Sequence, residues 1–167
     1  MEIECKKAEV KKNLNMKCEY EKGEIRLFDT RVALTNLLPA CKKIDKIFGS
    51  GAEVIVHCIA SEQGRQLCKT AMTNNPSTSK RDLLEEVVDI QTRAGWGITH
   101  LEIIKNNPLR IEVTVKNSPI KGLQGSLKHL IGSFWTGVLS EGFSQQLKCA
   151  SFSYDEKEDT LRCIITS

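Results

Sequence analysis

The chain has 167 residues, 40% of them hydrophobic and 27% charged, with a net charge of +3 at neutral pH. That length suits one domain, 1–167, large enough to bury a core without disulfide staples, and the composition argues against extended disorder. Lysines interleaved with glutamates, as in Glu4-Cys5-Lys6-Lys7-Ala8-Glu9, read as a solvated face and argue against direct nucleic-acid binding.

No apolar run approaches the roughly 20 residues of a spanning helix, so no membrane span is expected. The start of the chain lacks the apolar segment of a signal peptide. Seven cysteines stand at positions 5, 18, 41, 58, 68, 149 and 163, odd in number and without a CxxC pair. Free, mostly buried thiols in a reducing, cytoplasmic setting are the expectation.

Residues before about Lys12 carry little pattern, and fraying is expected there. Leu14, Met16, Cys18 and Tyr20 alternate with polar residues, Glu21-Lys22-Gly23-Glu24 can turn the chain, and Ile25 and Leu27 resume the alternation. This predicts an N-terminal hairpin. Thr35 is the expected N-cap of a first helix, with Leu37, Leu38, Cys41, Ile44, Ile47 and Phe48 inward and Gly49 and Gly51 at its end. A second helix is expected from Ala52 to Thr70 on the spacing of Val54, Ile55, Cys58 and Leu67, although Val54-Ile55-Val56 alone also fits a strand. Residues 73–79 read as a loop. Ser79 then precedes a third helix, Lys80 to Arg93, with Leu83, Leu84, Val87, Val88 and Ile90 inward, ended by Gly95 and Gly97.

Ile98 to Lys105 and Leu109 to Lys116 read as a hairpin about Asn106-Asn107-Pro108. A long helix is predicted over Leu123 to Ser144, with Leu123, Leu127, Leu130, Ile131, Phe134, Val138 and Leu139 inward. Leu147 to Tyr154 and Thr160 to Thr166 form a last hairpin about the acidic turn Asp155 to Asp159. Strands and helices in blocks predict an α+β fold, an antiparallel sheet with helices packed on one face and a long glycine-containing helix before the C-terminal hairpin.

Gly95-Trp96-Gly97, two strands, Asn117-Ser118-Pro119-Ile120, the glycine-spaced helix Gly132-Ser133-Phe134-Trp135-Thr136-Gly137-Val138-Leu139 and a cysteine-bearing final hairpin follow one another in this order. From about Arg31 to Ile165 the chain resembles the 4-vinyl-reductase (4VR) domain family. That family is similar in fold to the TRAPP vesicle-tethering subunits and includes sensor modules of aromatic-responsive transcription activators. The resemblance implies a homodimer with an apolar pocket between helices and sheet that takes hydrocarbon-like ligands. It also implies, for some members, a structural zinc near the last hairpin, where Cys149 and Cys163 stand here. The acidic residue expected three positions before the first of these is Gln146, the turn has no glycine, and the upstream cysteine position is Asn117. Two of the four usual zinc ligands are therefore missing.

Ser133 and Gly137 are four apart, and Gly125 and Gly132 seven apart. Glycine inside a helix costs roughly 0.5–1 kcal/mol against alanine, so several of them signal a close approach. Intramolecular packing, a ligand pocket and a dimer seam all fit. Trp96 and Trp135 each supply a broad apolar wall with one N–H donor. With Phe134, and with His57 for a polar head group, they are the expected ligand-binding residues.

No catalytic residues are expected. Walker, GxGxxG, HExxH and GxSxG motifs are absent, and Ser77-Thr78-Ser79-Lys80 matches SxxK only formally. The leading expectation is a small-molecule binding or sensor domain that passes its output to a separate protein partner. A dimeric scaffold, or an enzyme or assembly factor acting on a tetrapyrrole-like precursor, are the alternatives.

Overall fold

The computed structural model describes residues 16–19, 24–27, 30–120 and 125–167. Expectations for residues 1–15, for the turn at 20–23 and for Leu123 lie outside this set, as do those for the side chains of Leu37 and Leu38. The elements in chain order are β1 (Met16–Glu19), β2 (Glu24–Leu27), β3 (Thr30–Arg31), α1 (Val32–Phe48), α2 (Ala52–Asn74), α3 (Lys80–Arg93), β4 (Ile98–Asn106), β5 (Leu109–Lys116), α4 (Leu130–Phe143), β6 (Lys148–Asp155) and β7 (Thr160–Thr166). Short 3₁₀ segments, Gly49–Gly51 and Gly125–His129, precede α2 and α4.

The expected α+β architecture is present. An antiparallel sheet runs in the order β4-β5-β7-β6 and carries the helices on one face. The strict alternation of β5 sends Leu109, Ile111, Val113 and Val115 inward, and β7 answers with Leu161, Cys163 and Ile165. The opposite face carries His100, Glu102, Glu112 and Arg162, with the last two ion-paired at 3.3 Å. The N-terminal hairpin forms as predicted, with Cys18 opposite Ile25, but β1, β2 and β3 make a separate small sheet.

Most of α4 is buried around its full circumference, because it lies between the sheet on one side and α2 on the other. Glycine makes the second contact possible. A Cβ on Gly137 would fall on the carbonyl oxygen of Ser61, and one on Gly64 would fall on the carbonyl oxygen of Phe134. The close approach signalled by the glycines of α4 is thus with α2 of the same chain. Gly125, by contrast, lies in the preceding 3₁₀ segment with φ +74° and does not share the helix with Gly132. The α-helix therefore starts at Leu130, well after the predicted Leu123.

The same contact sets the phase of α2. Its buried residues are Ala52, Val56, Ala60, Gly64, Cys68 and Ala71. Small side chains must face α4 where the backbones nearly touch, so Val54 (64% exposed) and Cys58 turn outward, contrary to expectation. Helix α1 also departs from prediction. It starts directly after β3, so Thr35 lies within its first turn and does not cap it. Ile47 (59%) and Phe48 (54%) are exposed, and of the expected inward residues with described side chains Cys41 alone is buried. Helix α2 runs on through Thr73 and Asn74, shortening the predicted loop.

Helix α3 has its expected bounds. Ser79 caps it, Oγ accepting from Asp82 N at 3.2 Å. Ser79→Ala should cost about 1 kcal/mol. In a chain of this size that lowers the melting temperature by roughly 2–4 °C, and an unchanged thermal melt would show that the cap contributes nothing. Among the described residues, no helix is long and apolar enough to cross a membrane.

Candidate functional site

The end of α3 builds the first wall of a cavity. Gly95 adopts φ +85°, its N–H bonds Thr92 O, and the Trp96 N–H reaches back to Gln91 O at 3.1 Å. This is a Schellman termination, which needs glycine at the left-handed position. Gly97 follows with φ +104°, in a place where a Cβ would press on Lys116 O and the Val115 side chain. The two glycines fold the chain tightly against the end of β5, and Trp96 between them is turned toward the helices.

There it meets side chains from three other directions. The cavity has a volume of about 360 Å³. Trp96, Val115, Leu130, Ile131, Phe134 and Trp135 line its apolar wall, and Ala60 and Leu67 contribute from α2. Phe134 and Trp135 stand edge to face, their ring centroids 5.5 Å apart. Trp135 is 2% exposed, while Phe134 and Trp96 are half-buried. The polar lining is Gln63, Gln91 and Thr99, all neutral, and no charged side chain lines the space. Two amides and a hydroxyl can donate to or accept from one neutral polar group, and they offer no counter-charge to an ion.

The structure therefore brings Trp96, Phe134 and Trp135 together and separates His57 from them. His57 lies on an exposed part of α2 outside this cavity, with Nδ1 2.9 Å from Ser133 Oγ. Its position follows from the phase of α2, because only the Ala52–Ala60–Gly64 side faces inward. Sequence reading missed Gln63, Gln91 and Thr99. They belong to α2, α3 and β4, and nothing in their local sequence signals that they converge.

Cys149 and Cys163 lie side by side elsewhere, beneath Gly132 of α4. A Cβ on Gly132 would be 3.1 Å from one sulfur and 3.4 Å from the other. Cys163 is buried in β7 opposite Phe152. Cys149 is half-buried in β6 opposite Ile165, next to an irregularity that reaches Ser151. The Cys149 thiol donates to the Ser151 carbonyl oxygen at 3.4 Å, and the two sulfurs interact beneath Gly132. The interaction with Cys163 lowers the Cys149 pKa to about 7, and the same interaction together with burial drives that of Cys163 upward.

Two thiols do not make a zinc site, which takes four ligands. Among the described residues no group of three or more His, Cys, Asp or Glu side chains could hold a metal ion. The register explains why. Asn117 follows the Lys116–Thr160 pair at one end of the sheet, whereas Cys149 stands at the Ile111–Ile165 end. Gln146 is exposed and lines a different groove, beside Ser140 and Leu147.

No protein-family model matches the chain, and no curated protein matches it. Among solved structures it is similar to the phenol-responsive sensory domain of the transcription activator PoxR, determined with phenol. The TM-score is 0.58 at 14% sequence identity, over 90% of this chain and 84% of that one. The likeness is one of fold.

Proposed function

We propose that this chain is a 4VR-type ligand-binding domain that senses a small neutral aromatic or hydrocarbon-like molecule and signals through a separate protein partner. The observation that carries this reading is the cavity walled by Trp96, Phe134 and Trp135, with Gln63, Gln91 and Thr99 as its neutral polar groups. Its volume lies within the range of about 300–1,000 Å³ typical of small-molecule pockets. An apolar cavity of about 150 Å³ already admits benzene. One or two fused rings with a hydroxyl or similar group would fill the larger space. Similarity in fold to a phenol-responsive domain supports the same ligand class.

A homodimer belongs to this reading, and the exposed Ile47, Phe48 and Val54 near the α1–α2 junction supply apolar surface for it. Native mass spectrometry of the freshly purified chain tests both points. A dimer carrying a stoichiometric neutral aromatic compound is expected. If the chain is empty as purified, phenol, naphthol and benzoate should be compared by thermal shift. Ligand at a hundred times its Kd adds about 2.7 kcal/mol, a rise of roughly 5–11 °C here. The neutral compounds should produce it and benzoate should not, because no cation lines the cavity. A panel in which no neutral aromatic shifts the melt, or benzoate shifts it most, would sink the reading.

A further inference from the structure

We propose that Cys149 and Cys163 form an oxidisable dithiol, a modification site in which Cys149 is the attacking thiol and Cys163 the resolving one, closing to a disulfide between β6 and β7.

The geometry divides these roles. Both side chains point to the helix face of the sheet and meet beneath Gly132, where the missing Cβ leaves room for two sulfurs. Cys149 also borders an open groove whose other walls include Lys128, His129, Lys148 and Phe152. A small oxidant can reach it from solvent along this groove. Cys163 is fully buried, and its sulfur shares with that of Cys149 the space beneath Gly132. A half-buried attacking sulfur that borders a groove, next to a shielded resolving one, is the arrangement of reversible thiol oxidation.

The oxidant is a peroxide. The Cys149 thiolate attacks one peroxide oxygen, the O–O bond breaks, and the other oxygen leaves with a proton as water or an alcohol. Cys149 becomes a sulfenic acid. The Cys163 sulfur then attacks the Cys149 sulfur, the S–O bond breaks, and hydroxide takes up the Cys163 proton and leaves as water. Two thiols have lost two electrons and two protons, and the peroxide has gained them. The irregularity between Cys149 and Ser151 takes β6 out of strict register beside the attacking sulfur.

The experiment uses the full chain, titrated with hydrogen peroxide, alkylated, and mapped by non-reducing peptide mass spectrometry. The expected product is a Cys149–Cys163 cross-link that forms before exposed Cys58 is modified and is reversed by dithiothreitol. Cys163→Ser should abolish the cross-link and leave Cys149 as a sulfenic acid that dimedone labels. The wild-type map needs no variant, so a folding defect in Cys163→Ser leaves the test intact. Three outcomes would overturn the proposal: modification of Cys58 with Cys149 and Cys163 still free, either thiol paired with some other cysteine, or about one zinc per chain protecting both thiols in chelator-free protein. Ligand binding is read separately by thermal shift, so failure here leaves the sensor reading standing, and the reverse holds.

Discussion

Gly137→Ala should cost about 3 kcal/mol or more and lower the melting temperature by roughly 6–12 °C. Exchanging glycine for alanine inside an exposed helix normally gains about 0.5–1 kcal/mol. Here that gain is overridden, because the new methyl group would occupy the position of the Ser61 carbonyl oxygen, which is backbone and cannot rotate away. Gly64→Ala should act similarly through the Phe134 carbonyl. Both push apart the same two helices, so the double variant should lose less than the sum of the two. Gly51→Ala is the internal control: its Cβ would meet nothing closer than 3.9 Å, and stability should stay level or rise by up to about 1 kcal/mol. Chemical denaturation of the four variants and the parent decides it. If Gly137→Ala melts like the parent, the helices are not in backbone contact.

Two tryptophans of one cavity should separate stability from binding. Trp135 is buried between α2 and the sheet, and Trp135→Ala should cost about 3–5 kcal/mol. Trp96 is half-buried and held by the Schellman turn of its own backbone, so Trp96→Ala leaves that turn intact. It should destabilise the empty protein by only about 1–2 kcal/mol. Its loss removes one face of the aromatic wall, worth about 2–3 kcal/mol of ligand contact, and should weaken binding of the best neutral aromatic about 30-fold or more. The measurements are a denaturation curve and a calorimetric titration on each variant. Full affinity in Trp96→Ala would remove that residue from the binding site.

How much of this was legible in the sequence depended on how far the signal travels along the chain. The hairpins of β4–β5 and β6–β7 were readable from period-two alternation ending in Asn107-Pro108 and in the acidic turn. Helix α3 was readable because Ser79, its apolar stripe and Gly95 agree on the same bounds. Gly95-Trp96-Gly97 was readable as punctuation, and the structure shows that both glycines are needed to aim the indole. Helix α2 misled because hydrophobic periodicity weights large side chains, and its core face is made of small ones. Ala52, Val56, Ala60, Gly64 and Cys68 recur every four residues, and that spacing was the available clue to a partner helix at backbone distance. The ends of α1 were misread in the same way: Ile47 and Phe48 are apolar, but no element covers them among the described residues. The neutral polar lining of the cavity could not be read at all, since Gln63, Gln91 and Thr99 meet only after three separate elements have packed.

The small-residue face of α2 has a consequence for how this domain opens. Alanine and glycine bury little apolar area each, so α2 is held by the fit of two backbones more than by hydrophobic surface. Dispersion contacts of this kind fall off steeply with separation. Once Gly64 and Gly137 part by about an ångström, up to about half of each contact's attraction is gone, and the rest of the helix follows more readily. Helix α2 should therefore detach as a unit, with amide exchange protection that is uniform from Ala60 to Cys68 and lower than that of β5 and β7. Ala60, Gln63 and Leu67 also line the cavity, so a molecule lodged there bridges the outer layer to the sheet and slows the exchange of an entire helix by touching one side of it.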